Sequence, residues 1–153
     1  MNPLARTARQ RTHDTLHRLE HDVDAWIATA DTAGGGPYLV PLSYRWDGSA
    51  LLVATPAESP TGRNLLKTGT VRLGIGPTRD VVMIDGAVQA LEPAELTEEV
   101  GDSFAAKTGF DPRRLDTVYR YFRITPRRVQ AWREANELAG RDLMRDGEWL
   151  VLD

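Results

Sequence analysis

The sequence predicts a mainly β protein with inserted helices, folded as an antiparallel barrel. Three observations carry this. Short apolar or alternating segments, roughly six to eight of them, recur along the chain between glycines, prolines and Asp-Gly pairs. Helical periodicity is confined to short stretches among them. The strand-helix-strand alternation of a parallel sheet is missing. The 153 residues suit one domain with its own core. The expected division is an N-terminal helix in 1–22, a barrel in 24–133 and a C-terminal hairpin or tail in 141–153.

Taken in order, residues 7–21 place Leu16 and Leu19 among many charges at helical spacing, which predicts a short amphipathic helix. From Asp24 the period changes to two. "AWIATAD", "PYLVPLSYRWDG" and "SALLVATP" are three consecutive strands, the last two joined by an Asp47-Gly48 hairpin, with Trp26, Leu39, Leu42, Leu52 and Val53 expected in the core. "SPTGRNLLKTG" starts with a good N-cap, Ser59, follows with Pro60 at the first helical position, and stops at Gly69. "TVRLGIG" and "DVVMIDGAVQAL" are further strands, the second interrupted at Gly86 as a bulge requires. "TEEVGDSFAAKTG" is a helix capped by Thr97 with Phe104 turned inward, and its acidic pair Glu98 and Glu99 suits a first turn. "YRYFRITP" and "RRVQAWR" return to strands, and "RDLMRDGEWLVLD" folds back at Asp146-Gly147.

Composition excludes several chemistries. A net charge of −3 gives no global pull toward nucleic acid or an anionic membrane, and no apolar run approaches a membrane span. Without an N-terminal apolar segment of the signal-peptide type, the expected location is cytoplasmic. There is no cysteine, hence no thiolate ligand or nucleophile. All three histidines, His13, His17 and His21, lie on one stripe of the first helix. A Ser/His/Asp triad spread over the chain is thereby ruled out, and the stripe reads as an exposed polar face in preference to a metal site. The arginines among "YRYFR" and "PRR" alternate as a half-buried strand requires, so no nucleic-acid partner is expected. "GIGPTRD" lacks the spacing of a dinucleotide-binding loop.

One turn stands out. Ser59, Thr61 and Arg63 gather two hydroxyls and a guanidinium at a helix N-terminus, where unpaired N–H groups and a partial positive charge favour a phosphate. The same residues equally describe an ordinary capped helix with a solvated arginine.

The order of elements from "YLVPLSYRWDGSALLVATPAESPTGRNLLKTGTVRLGI" through "DVVMIDGAVQAL", and more weakly into "VQAWREANELAGRDLMRDGEWL", resembles the pyridoxamine 5′-phosphate oxidase-like, FMN-binding split-barrel family. The resemblance implies a six-stranded antiparallel split β-barrel, a homodimer, and a flavin-type cofactor in clefts at the dimer interface. By the same resemblance, Val40, Pro41, Leu42 and Ser43 lie along the isoalloxazine ring, with backbone N–H groups near Pro41–Ser43 directed at it. Ala54 and Thr55 lie over the ribityl chain. Ser59, Thr61, Arg63 and Asn64 form the phosphate turn, and Trp132 and Arg141 reach the ring and substrate. Two departures stand beside this. Pro60 and Thr61 occupy the places of a basic pair, and Asp142–Met144 offer no histidine beside Arg141.

The implied activity is an FMN-dependent oxidoreductase that moves hydride to or from a small organic substrate, with no metal. A redox cofactor of this kind carries the chemistry itself and needs no acid-base triad from the protein. Two alternatives stand beside it. One is a reductase using the deazaflavin coenzyme F-420, whose oligoglutamyl tail needs a basic groove, for which Arg45, Arg63 and Arg79 are available. The other is a non-catalytic module that binds flavin or haem.

Overall fold

The computed structural model describes residues 3–152. The first helix, α1 (Ala8–His21), is opened by a capping box in which Thr7 and Gln10 satisfy each other's backbone N–H groups. It leads into β1 (Asp24–Asp31), β2 (Gly36–Trp46) and β3 (Leu51–Pro56), then α2 (Pro60–Thr68), β4 (Thr70–Ile75) and β5 (Val81–Ala90). After α3 (Glu98–Thr108) come β6 (Tyr119–Trp132) and the hairpin β7 (Asp142–Arg145) and β8 (Glu148–Trp149). All strand pairings are antiparallel, in the order β3-β2-β1-β4-β5-β6-β7-β8. β3 also pairs with β6, so six strands close into a barrel and the terminal hairpin continues from its wall.

Most local expectations hold for the anticipated reasons. Ser59 accepts the Gly62 N–H at 3.0 Å, and Gly69 ends α2 with φ +65°, a conformation that costs glycine nothing. The β5–β6 register shifts between Asp85 and Gly86, so the glycine marks a bulge. Asp146 and Gly147 both have positive φ, as a two-residue hairpin turn demands. The two segments read as separate strands over 119–133 are one strand, β6, which passes through Pro126 by pairing it with Gly86 at the bulge.

The main core fills the barrel with Ile27, Tyr44, Leu51, Val53, Leu73, Ile84, Phe122 and Ile124, all buried. Leu143 and Met144 join it, so the C-terminal hairpin is part of the packed interior. A second cluster, Leu52, Ala54, Phe104 and Tyr121, lies where α3 covers β3 and β6. Lys107 of α3 donates to the Asp22 carbonyl at 2.8 Å with its ammonium 5.0 Å from the Tyr44 ring centre. Two residues expected in the core are outside it: Trp26 is 53% and Leu39 59% exposed. Side chains alternate across a strand, and the inward places on β1 are taken by Ala25, Ile27 and Thr29. No described helix is long and apolar enough to cross a membrane.

Candidate functional site

β1 and β2 pair along their whole shared length, from Asp24↔Ser43 to Asp31↔Gly36. β2 and β3 pair only over Tyr44–Trp46 and Leu51–Val53. The far edge of β2 between Gly36 and Ser43 is therefore open, and this is the split in the barrel. The Tyr44 N–H donates to the Val23 carbonyl at 2.9 Å, which fixes the hydrogen-bonding phase of the ladder. Even-numbered residues of β2 then face β1 with their backbone groups, and Pro37, Leu39, Pro41 and Ser43 face the open edge. Proline has no N–H to offer, so both prolines sit where a strand tolerates them. The open edge thus presents carbonyls throughout and donors only at Leu39 and Ser43. Of the set Val40–Ser43 expected along a flavin ring, Val40 and Leu42 turn their side chains to the core and their N–H groups to β1. Ser43 has an edge-facing N–H, and its hydroxyl donates to Asp24 at 2.7 Å.

On the outer face of the barrel, beside this edge, lies a cavity of about 430 Å³. Trp26, Leu39, Val81, Met83 and Trp132 form its walls, and Arg72 is the only charged residue in the lining. That charge faces Asp85 at 3.6 Å. The guanidinium of Arg141 stacks over Trp132, 5.6 Å from the ring centre. Trp132 and Arg141, placed together by resemblance, are together in space.

On the other side of β2 is a groove of about 460 Å³ between the β1–β2 turn and α2, lined by Asp31, Gly35, Tyr38, Arg63, Asn64 and Lys67 among others. Arg63 and Lys67 are one helical turn apart, both exposed, and neither makes an ion pair among the described residues. Asn64 is buried and donates to Thr29 at 3.1 Å. Thr61 is also buried, and Ala54 packs in the second cluster. The Ser59 hydroxyl is occupied by its own turn: it bonds the Pro56 carbonyl at 2.8 Å and the Thr55 hydroxyl at 3.1 Å while capping the helix. The structure therefore brings Arg63 and Asn64 to one groove and leaves Ser59, Thr55 and Thr61 as the scaffold behind it.

Lys67 is the cation that sequence reasoning did not single out; its i+4 spacing from Arg63 was the available signal. Arg79 pairs with Glu134 at 3.1 Å and Arg45 sits opposite Leu52 on β3, so neither joins Arg63. Of the histidines, His17 and His21 stack at 4.1 Å between ring centres and His21 Nδ1 lies 2.8 Å from the His17 carbonyl. Among the described residues no set of three metal-ligating side chains converges.

The family model described as pyridoxamine 5′-phosphate oxidase matches residues 16–133. The chain belongs to the pyridoxamine 5′-phosphate oxidase family. Solved structures agree on the fold. An FAD-binding protein from Mesorhizobium loti is 19% identical, with a TM-score of 0.63 over 77% of this chain and 89% of that one. An F-420 reductase is 16% identical, with a TM-score of 0.60 over 74% and 93%. A heme-binding protein from Mycobacterium smegmatis is 16% identical, with a TM-score of 0.66 over 95% of this chain and 60% of that one. No curated protein matches the chain. At such identities the likeness concerns the barrel.

Proposed function

We propose that the chain is an FMN-binding oxidoreductase that works as a homodimer and exchanges hydride with a small, largely apolar organic substrate. The observation that carries this is the pairing of an apolar, tryptophan-walled cavity with a cationic groove on opposite sides of one open strand edge. The residues fit the group. Trp132, Trp26 and Leu39 offer flat apolar surface to a tricyclic ring, the Leu39 and Ser43 N–H groups suit its polar rim, and Arg63 with Lys67 suits a phosphate. When bound, the flavin would supply the hydride chemistry. This chain would orient the ring along β2, keep water from its face, and present Arg141 to an anionic group of the substrate.

The exposed Trp26 and Leu39 support the dimer. Apolar patches of this kind seldom stay uncovered, and a second copy laid on the same face would complete the cleft. The paired cations also favour a second reading, the deazaflavin coenzyme with its acidic tail, because Arg63 and Lys67 offer charge along a groove where one phosphate needs a single focus. Haem fits less well, since the lining of either cavity contains no histidine or cysteine.

The test is fluorescence titration of riboflavin, FMN and the deazaflavin into wild type, Arg63→Ala, Lys67→Ala and Ser59→Ala, with the mass of any ligand released on denaturation measured alongside. Loss of either cation is expected to weaken FMN by roughly 10- to 100-fold and to leave riboflavin unchanged. Ser59→Ala is expected to lower stability by about 1 kcal/mol with little change in affinity. A wild type that does not prefer FMN or the deazaflavin over riboflavin, with affinities indifferent to both cations, would defeat the proposal.

A further inference from the structure

Trp132 and Arg141 bracket the segment that joins β6 to β7, and the residues between them lie outside the sheet ladder. The N-terminal segment holds them. Arg11 of α1, 4% exposed, directs Nη1 at three backbone carbonyls of this stretch: Ala131 at 3.1 Å, Glu137 at 2.9 Å and Gly140 at 3.2 Å. Arg6 clasps the Glu137 carboxylate with its backbone N–H (2.8 Å), Nε (3.0 Å) and Nη2 (2.8 Å), and the Arg133 N–H adds a fourth donor at 2.9 Å. The same helix also reaches the start of β5, where Val81 is the cross-strand partner of Trp132. There Arg18 donates to the Asp80 carbonyl at 2.6 Å and its carboxylate at 3.0 Å, next to Val81 of the lining.

A helix whose task was only to cover the barrel would bury leucines. The buried face of α1 is instead Arg11, Thr12, Thr15 and Leu19. Burying a guanidinium is costly, and Arg11 Nε is left without a partner, so packing alone is a poor account of this face. What a planar guanidinium does well is fix the relative positions of several acceptors at once. The acceptors here are the carbonyls that flank the Trp132–Arg141 pair.

We propose that Arg11 and Arg6 are positioning residues. Through the segment 131–141 they set the place and orientation of the Trp132–Arg141 wall, so that ligand affinity depends on the N-terminal clamp beyond its share of folding stability. The ligand half of this rests on the flavin-type reading of the cavity; the placement of Trp132 does not.

The experiment uses full-length protein labelled with fluorotryptophan, the Trp132 resonance being assigned with Trp132→Phe. Arg11→Met, Glu137→Gln and the exposed control Arg9→Met are compared well below their melting temperatures by fluorine NMR and by FMN titration. In Arg11→Met and Glu137→Gln the Trp132 signal is expected to shift and broaden while that of Trp46, buried in the barrel core, stays in place. FMN affinity is expected to fall about tenfold. Arg9→Met should alter neither. A Trp132 signal and an FMN affinity that both match wild type, with only the melting temperature lowered, would overturn the proposal, as would equal movement of Trp46. Should wild type bind no flavin, the functional reading fails by itself, and the Trp132 signal alone decides the clamp. If Arg11→Met does not fold, Glu137→Gln carries the same comparison.

Discussion

Acid reaches this fold through Glu137. Its side chain is 2% exposed, and the Arg6 guanidinium, ahead of the backbone N–H groups of Arg6 and Arg133, holds its carboxyl at about 2 against an ordinary value of 4.5, while burial works in the opposite sense. A displacement of that size corresponds to roughly 3 kcal/mol of folding stability at neutral pH. Because the folded pKa is depressed, the stabilisation is complete above the unfolded value of 4.5 and is lost as the pH falls from there through about 2. Glu137→Gln keeps the shape, cannot titrate, and leaves Arg6 facing an amide. Its deficit at pH 7 should be about 3 kcal/mol or more. Urea unfolding of both proteins across the acid range gives the difference directly. Asp47, Asp111 and Asp142, whose carboxyls are also held low, titrate in both proteins and cancel. The gap between wild type and variant should therefore close as the pH falls through the window. A gap that stays constant from neutral pH down to about 2 would show that ionisation of Glu137 is not what stabilises the fold.

Two further outcomes follow from the packing. A Cβ placed on Gly86 would lie 2.6 Å from Ile124 Cγ2 and 3.2 Å from the Thr125 carbonyl, so Gly86→Ala should cost about 1–3 kcal/mol in a thermal or urea melt; an unchanged melt would mean the bulge is free to relax. Trp26→Arg puts a charge on the exposed apolar face, and light scattering should show a monomer where the proposed wild-type dimer would bury upwards of about 2,000 Å². A wild type that is itself monomeric at micromolar concentration would remove the shared cleft.

The barrel was legible because its signals are local. Alternation in "AWIATAD", the two Asp-Gly turns, the Ser59 and Thr97 caps and the glycine at 86 each specify a backbone geometry that few residues satisfy, and the structure repeats them. What was not legible is which apolar residues face inward on strands that are apolar on both sides. Trp26 and Leu39 look like core in sequence because large apolar side chains usually are, yet the inner face was already filled by Ala25, Ile27 and Val40. Their surplus on the outer face is what the proposed ligand and second copy would cover, and it becomes readable only once the Tyr44–Val23 hydrogen bond fixes the phase of the ladder. The C-terminal hairpin was legible from its Asp-Gly turn, whereas its packing of Leu143 and Met144 into the main core was not.

In the predicted phosphate turn the residues differ in what they leave accessible. Ser59 and Thr61 were selected from the sequence for their hydroxyls; in the structure the Ser59 hydroxyl caps the helix and bonds the Pro56 carbonyl, and Thr61 is buried. The groups left free to hold an anion are those with no internal partner, and on α2 these are Arg63 and its neighbour one turn on, Lys67. Two cations spaced along a groove suit a phosphate less closely than a longer anion does. If FMN is the ligand, removing Lys67 should therefore cost less affinity than removing Arg63, whose neighbour Asn64 is anchored on Thr29. If the deazaflavin is the ligand, the two losses should be alike, and lengthening its glutamyl tail should tighten binding to wild type but not to Lys67→Ala. Unequal losses for FMN, with no response to tail length, would leave the groove as a place for a single phosphate and exclude the tail from it.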